Sequence, residues 1–548
     1  MIDTLVLAGL SGTGKSTVGA QVAHRLGWKL VDTDEEIQRT TGLSIPQIFE
    51  QEGETSFRRY ERTELLSALH QKRVVIATGG GAVIAEDAWS ADVLDRYGVL
   101  IVTLEASAET VHTRLEDAKA QHGDSVKRPL LDAADSLQKV RDMKAARADA
   151  YSRSQVTIPV DRRSIEQTVA DLVELVSLAN GEFSEVNLDL PGVHSTIVVG
   201  RGSRRLLPDV LRAEWPKARR IWIAADVNVE PHAEEMRHLL EAHGFQVEIE
   251  LIPSGENQKS LDGLSNVYDW LLGNGVQRQD VLIALGGGKV GDLAGFAAAT
   301  VLRGIGLIQI PTTLLAMVDS SIGGKTAINH ATGKNLIGAF YQPTHVLVDP
   351  ELLLTVPPRE LTSGWAEVIK HGEIQQSTPG GETGHLRDVL TFNQKRLTKL
   401  EDPVLSWVIR QNLTIKAAVV TEDEKESGLR AILNYGHTIG HAIEASGYRY
   451  LHGEAISVGL VAAVRLAAEL ERIDPAEIAR IEQTLTSFGL PIRAEAQLDD
   501  VIARTSSDKK KSSGQQQWVL ANSDGRVTIE TDVSPCAIEI ATREVLEQ

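Results

Sequence analysis

The chain of 548 residues contains a single cysteine, Cys536, which excludes an intramolecular disulfide. It has no apolar run of the ~18 to 20 residues that a bilayer span needs. The longest apolar helical candidate, Ala455 to Leu470, is broken by Ser457, Gly459 and Arg465. The opening Met-Ile-Asp-Thr lacks the basic, then apolar, then small-residue order of an export signal. Together these absences give a cytoplasmic expectation with no membrane role. There is no excess of positive charge either: 56 Lys and Arg against 75 Asp and Glu leave a net charge of −19, which disfavours nucleic acid and anionic membrane as partners. Internal repeats and low-complexity tracts are lacking. What is present is ordinary globular composition, 42% hydrophobic and 24% charged, at a length that suits about three or four domains. A small-molecule enzyme fits this balance best.

Apolar periodicity divides the chain. Residues 4 to 8 read as a buried strand, followed by a Gly-rich loop and a helix from about Ser16 to Leu26. Strand-like runs recur at 74 to 77 and 99 to 104, with helical patterns between them, as in a parallel α/β sheet. A helix from Ser164 to Ala179 closes this first domain, 1–179. Residues 180–192 contain turn formers without evident periodicity and are expected to be a linker. A second α/β pattern follows over 193–350, with strands expected at 195–199, 221–225, 247–252, 281–285, 307–310 and 345–348. From 351 to 548 the pattern is mainly helical.

Gly9-Leu-Ser-Gly-Thr-Gly-Lys-Ser-Thr17 fits the P-loop pattern and sits after a strand at the mouth of a helix. Gly12, Thr13, Gly14 and Thr17 would wrap phosphates with backbone N–H groups, Lys15 would reach the outer phosphates, and Ser16 would take Mg²⁺. Asp32 and Asp34 fall at the end of the next strand, where one could order Mg²⁺ and the other accept a hydroxyl proton. Helix capping by Thr33 and Asp34 ahead of Glu35 is an equally good reading of that pair. Phe57-Arg-Arg-Tyr-Glu61, Gly79-Gly-Gly81, Lys127-Arg-Pro-Leu-Leu131 and Arg147-Ala-Asp-Ala-Tyr151 follow in order. With them, residues 1 to about 178 resemble shikimate kinase. The resemblance implies that Asp34, Arg58, Gly80 and Arg147 hold shikimate, that Arg128 lies on a closing lid and stabilises the transferring phosphoryl group, and that Arg114 flanks the adenine. Taken alone, Arg58 with Glu61 is a plain i, i+3 helix pair and Arg147 a surface charge.

In the second half, a strand at 281–285 runs into Gly286-Gly-Gly-Lys-Val-Gly291-Asp292, a turn suited to a pyrophosphate but different from the usual G-x-G-x-x-G fingerprint. Asp226 and Asn228 follow an earlier strand and could bind ribose hydroxyls or make a turn. His437 and His441 are four apart and share a helix face, a spacing that polar core or surface histidines also show; with Glu367 and His452 they offer the ligand types of a catalytic zinc site. Gly286 to Arg303, Pro311 to Asn329, Gly333-Lys-Asn335, Glu367-Val-Ile-Lys370 and Arg430 to Thr438 resemble 3-dehydroquinate synthase, over roughly residues 188 to 548.

That resemblance implies metal ligands Glu367, His437 and His452, with zinc, or cobalt in its place. It implies a substrate site of Arg303, Asp319, Lys325, Asn335, Lys370, Lys416, Arg430, Asn434 and His441, plus one lysine of Lys509 to Lys511, assigned to Lys509. NAD would lie against Asp226, Asn228, Glu256, Lys259, Gly287, Gly288, Asp292, Thr312, Thr313 and Asp319. Lys289 departs from the small apolar residue expected in that turn. The implied activities are ATP-Mg²⁺-dependent phosphorylation of shikimate, and NAD- and metal-dependent conversion of 3-deoxy-arabino-heptulosonate 7-phosphate to 3-dehydroquinate, by a homodimer joined through the synthase half. The alternatives are another small-molecule kinase or nucleotide-sensing module, fused to a related sugar-phosphate cyclase or a metal-dependent polyol dehydrogenase.

Overall fold

The computed structural model describes the chain except residues 83–97, 123–135, 382–384, 427, 448, 509–515 and 548, and the side chains of 121–122 and 506–508. Arg128 and Lys509 therefore lie outside the described residues. The chain forms two compact units: Met1–Glu182 with Asp388–Trp407, and Phe183–Arg387 with Val408–Gln548.

The first unit is built on five parallel strands, β1 (Thr4–Ala8), β2 (Lys29–Asp32), β3 (Val74–Ala77), β4 (Val99–Glu105) and β5 (Val156–Pro159), in the order β2-β3-β1-β4-β5. Helices α1 (Lys15–Leu26), α2 (Thr33–Thr41), α3 (Ile45–Gln51), α4 (Gly53–Leu69), α5 (Ala108–His122), α6 (Ser136–Tyr151) and α7 (Ile165–Ala179) connect or close it. Central β1 is buried along its whole length, which is why it reads as a continuous apolar run and not as an alternation. The chain reverses direction across the sheet at β1, with β3 on one side and β4 on the other. Loops at the carboxyl ends of such strands form a crevice. At the outer edge, the Asn393 amide accepts from the Thr157 N–H at 2.9 Å and donates to the Thr157 carbonyl at 2.8 Å, closing part of the free edge of β5.

The second unit carries a seven-stranded sheet. Its strands are β6 (Ser184–Leu190), β7 (Val193–Val199), β8 (Arg220–Asp226), β9 (Gln246–Ile252), β10 (Val281–Gly286), β11 (Gly306–Pro311) and, after a hairpin of β12 (Lys325–His330) and β13 (Gly333–Phe340), β14 (His345–Val348). Their order is β6-β7-β14-β11-β10-β8-β9, and only β6 runs antiparallel to its neighbour. Helices α8 (Leu207–Glu214), α9 (Glu230–Ala242), α10 (Leu261–Gly273) and α11 (Gly288–Thr300) accompany it. β8 leads outward to β9 and β10 leads the opposite way to β11, so the switch point lies between β8 and β10. Beyond residue 351 the chain is helical: α12 (Pro358–Ile374), α13 (His385–Leu397), α14 (Val404–Glu422), α15 (His437–Ala445), α16 (His452–Glu469), α17 (Ala476–Ser487), α18 (Leu498–Asp508) and α19 (Pro535–Arg543), with two short strand pairs.

Two expectations need correction. The stretch 180–192 is not an unstructured linker: it contains β6, whose Val186, Leu188 and Leu190 are buried while the residues between them are exposed. That period of two was present in the sequence but hidden by flanking turn formers. The β12–β13 hairpin was also not expected. Its β13 face is largely exposed, so no buried apolar alternation marks it.

Candidate active sites

In the first unit, α1 begins directly on the loop after β1, with Gly9, Gly12 and Gly14 at positive φ. A Cβ on Gly9 would stand 2.4 Å from the Leu104 carbonyl oxygen, so this turn admits only glycine. The buried Lys15 ammonium donates to the carbonyls of Gly9 and Leu10 at 2.8 and 2.9 Å, beside the phosphate cradle. The Ser16 hydroxyl donates to Asp32 Oδ2 at 2.5 Å. Asp32 Oδ1 accepts from the N–H groups of Asp34 and Glu35, so Asp32 is the N-cap of α2. Capping by Thr33 and Asp34 is therefore set aside. Arg114 donates to Gly12 O at 3.5 Å and Val160 O at 3.1 Å, which places its guanidinium along the P-loop.

The glycines 79 to 81 pass through a ring of charged side chains. An added Cβ would stand 2.2 Å from Glu61 Oε1 and 2.7 Å from Asp34 Oδ1 at Gly79, and 1.8 Å from an Arg58 nitrogen at Gly81. Arg58 is held by Glu61 at 2.7 Å and Glu54 at 3.0 Å. Arg147 is buried, not a surface charge, and donates to Gly80 O at 2.6 Å; the Tyr151 hydroxyl donates to the same oxygen at 2.8 Å. Burial pushes the Glu61 carboxyl above its ordinary range against the pull of Arg58, and pushes the Tyr151 phenol up to about 12. The i, i+3 pairing of Arg58 and Glu61 is thus real, and it serves to aim Arg58 at the same space as Asp34 and Arg147. Tyr151 was not singled out in the sequence, because its partner Gly80 is remote in the chain.

In the second unit, three helices bring Glu367 of α12, His437 of α15 and His452 of α16 together. The Glu367 carboxylate is fully buried, with Oε2 paired to the Lys370 ammonium. Its Oε1 faces Nε2 of His437 and Nε2 of His452, each at 3.4 Å. The opposite ring nitrogens are fixed: His437 Nδ1 lies 3.1 Å from the Tyr435 carbonyl and His452 Nδ1 lies 3.1 Å from Glu444, which Lys334 also holds. Both rings therefore present Nε2 to the Oε1 of one buried carboxylate, the donor set of an oxygen-and-imidazole metal site. His441 joins this cluster, its ring 5.1 Å from that of His437 and 5.7 Å from that of His452. The residues fit a zinc-class ion.

Alongside lies a cavity of about 600 Å³ lined by Asp319, Lys325, Asn335, Lys370, Lys416, Arg430, Asn434 and His437, and by Ser320, Asp292 and Glu426. Lys370 pairs with Glu367, Lys416 with Asp319 and Lys325 with Glu426. Burial alone would raise the Asp319 carboxyl, but the Lys416 and Lys370 ammoniums hold it below the ordinary range. Burial lowers Lys416 and Arg430. Behind them His371 is fully buried, its Nδ1 3.0 Å from Asn412 Oδ1 and its Nε2 without a hydrogen bond. Burial and the Lys370 ammonium push it down to about 4. Arg303 does not line this cavity: it is exposed beyond the end of α11.

Ser320, on the cavity wall, lies beside the glycine turn that follows β10. Gly287 approaches Thr313, Gly288 approaches Ser320, and the Thr312 N–H donates to Gly286 O at 3.0 Å. A Cβ on Gly288 would stand 2.9 Å from Ser320 Oγ, a buried hydroxyl without a hydrogen-bond partner. Lys259 is buried and bridges Asp292 and Asn335, and Glu256 accepts from Asn329 at 2.9 Å. At the end of β8, Asp226 Oδ1 accepts from the Asn228 N–H and side-chain amide.

Comparison with known proteins gives matches in both halves of the chain. Residues 11–177 match the family model of shikimate kinase, 249–363 that of 3-dehydroquinate synthase N-terminal, and 364–511 that of 3-dehydroquinate synthase C-terminal. The 3-dehydroquinate synthase of Rippkaea orientalis is 48% identical over 299 residues, 54% of this chain and 80% of the relative. That of Desulforamulus reducens is 45% identical over 331 residues, 60% of this chain and 90% of the relative. Among solved structures, the 2-epi-5-epi-valiolone synthase of Streptomyces hygroscopicus, with NAD⁺ and Zn²⁺ bound, superposes with a TM-score of 0.59 at 26% identity, covering 65% of this chain and 98% of that one.

Proposed function

The chain belongs to the 3-dehydroquinate synthase family and carries a shikimate kinase domain at residues 11–177, and on that basis we propose how its own residues run the two reactions. It is a bifunctional enzyme of aromatic biosynthesis: it phosphorylates shikimate with ATP, and it converts 3-deoxy-arabino-heptulosonate 7-phosphate to 3-dehydroquinate with release of phosphate. The observation that carries the synthase reading is the buried Glu367 carboxylate facing two imidazoles at 3.4 Å, at the edge of a cavity lined by Lys325, Lys370, Lys416 and Arg430.

In the kinase, Lys15 and the P-loop amides receive the ATP phosphates, while Ser16 and Asp32 hold Mg²⁺. Arg58 and Arg147 receive the shikimate carboxylate, for which the guanidinium fork is suited. Asp34 accepts the proton of the attacking hydroxyl as its oxygen bonds to the γ-phosphorus and ADP leaves. Arg128 remains assigned to the lid by resemblance.

In the synthase, Glu367, His437 and His452 hold the metal, and the β8–β10 crevice with Gly287, Gly288, Thr312 and Thr313 holds NAD⁺. When bound, these supply a hydride acceptor that later returns the hydride and a Lewis acid for the oxygen being oxidised. Lys325, Lys416, Arg430 and Asn434 hold the sugar phosphate dianion, and Lys370 sits against the ligand carboxylate to orient it. His441, beside the two ligand imidazoles, is assigned by the family resemblance to exchange protons with substrate oxygens. The reading also places the protein in the cytoplasm, supported by its lone exposed cysteine. Among the described residues no helix is long and apolar enough to cross a membrane. Pairing as a homodimer through the synthase half is carried by the family resemblance.

The test is a crossed pair of variants in the full chain. Asp34→Asn is expected to lose shikimate-dependent ADP formation by at least about a hundredfold and retain phosphate release from the heptulosonate; His437→Ala is expected to do the reverse. Loss of both activities in either variant, in a folded protein, would contradict the assignment.

A further inference from the structure

Lys289 is out of place by both composition and position. It is the second residue of α11, where the helix macrodipole is positive and a cation is disfavoured. Two contacts hold it there. Its ammonium lies 2.8 Å from Asp226 Oδ2 at the end of β8, and donates at 2.8 Å to the Pro253 carbonyl just beyond β9. Lys289 thus ties together the carboxyl ends of β10, β8 and β9, the three strands that bound the switch-point crevice.

The chemistry of that position turns on Asp226. A carboxylate at the end of the strand next to the glycine turn is suited to accept from ribose hydroxyls, and its charge repels a 2′-phosphate. Here the charge is compensated. Asp226 Oδ1 is engaged by the Asn228 N–H and amide at 3.0 and 2.9 Å, and Oδ2 by Lys289. Of the three ammonium donors of Lys289, two are engaged, which leaves a third for a phosphate oxygen. The side chain is mostly buried, 12% exposed, so its charge is poorly screened by solvent. The cation and the helix N-terminus beneath it both favour a dianion.

We infer that Lys289 is a specificity-determining residue of the dinucleotide crevice, and that it lets the synthase accept a 2′-phosphorylated nicotinamide dinucleotide as well as NAD⁺. This rests on the reading of the β8–β10 crevice as the dinucleotide site. The nicotinamide chemistry is unchanged, because the 2′-phosphate is remote from the hydride that is taken and returned.

Calorimetric titration of the zinc-loaded, cofactor-stripped full chain with NAD⁺ and with NADP⁺ tests it, for the native protein, Lys289→Val and Lys289→Arg. The native protein is expected to bind NADP⁺ within about tenfold of NAD⁺. Lys289→Val is expected to widen that ratio by at least about tenfold, and Lys289→Arg to preserve it. NADP⁺ binding more than about a thousandfold weaker than NAD⁺ in the native protein would overturn the inference. So would an equal weakening of both dinucleotides in Lys289→Val, the mark of a purely structural role. If the native protein binds neither dinucleotide, the crevice itself has been misread and the inference falls with it; normal NAD⁺ binding with an unmoved ratio removes only the role of Lys289.

Discussion

His371 shows what one buried side chain does to pH dependence. Its folded pKa of about 4 lies below the ordinary 6.5, because burial and the Lys370 ammonium oppose its charge. Between those values the unfolded chain binds a proton that the folded chain does not, so the stability His371 contributes is lost as pH falls from about 6.5 to about 4. His371→Gln keeps a donor for Asn412. It should flatten this loss by about 2 kcal/mol, read as the difference between the two proteins' urea denaturation curves at pH 7 and pH 4.5; parallel loss would contradict the burial argument. At this scale the sequence pointed to Lys15 and Ser16 through a motif, and to Glu367, His437 and His452 through resemblance. It was silent on Ser320 and Glu444. Both gain their roles from contacts that no motif announces: Glu444 aims His452, and Ser320 backs the glycine turn. Lys289 was visible as an oddity, but only the proximity of Asp226 gives it a use.

At the scale of elements, glycine contacts decide how closely the metal-bearing helices approach. A Cβ on Gly453 in α16 would stand 1.8 Å from the Ser363 carbonyl oxygen of α12, and one on Gly459 would stand 2.0 Å from Gly436 O. Gly453→Ala must push α16 from α12, separating His452 from Glu367, and should weaken zinc binding by about ten- to a hundredfold, measured by competition with a chromophoric chelator. Unchanged affinity would mean that the helices adjust without moving the ligands. In the kinase unit, Gly81→Ala would place a methyl on the Arg58 guanidinium. The displaced Arg58 should raise the KM for shikimate by about tenfold or more while the KM for ATP holds. The main strands and helices were legible from periodicity. Strand β6 was obscured by its turn-forming neighbours, and β13 of the hairpin by its exposure, since burial is what makes alternation visible.

At the scale of the whole molecule, strand order and the composition of each compact unit are tertiary facts that local pattern cannot contain. Asp388–Trp407 clusters with the first 182 residues, although its sequence reads only as helix. Its Asn393 closes the β5 edge through two hydrogen bonds to Thr157. Asn393→Ala should speed exchange of the Thr157 amide hydrogen by an amount equivalent to about 1 kcal/mol or more, and unaltered exchange would show that this edge is closed without it. The two activities should also part by metal: 1,10-phenanthroline, which removes zinc and leaves Mg²⁺, should abolish phosphate release while shikimate phosphorylation continues.

The most direct measurement follows phosphate release and NADH absorbance together as the purified chain, with NAD⁺ and zinc, acts on 3-deoxy-arabino-heptulosonate 7-phosphate, with shikimate-dependent ADP formation assayed on the same preparation. The account requires stoichiometric phosphate without accumulating NADH, and ADP formation only when shikimate is present. Net NADH, or no phosphate from the intact metal-loaded protein, would contradict it and leave a metal-dependent dehydrogenase or another cyclase in its place.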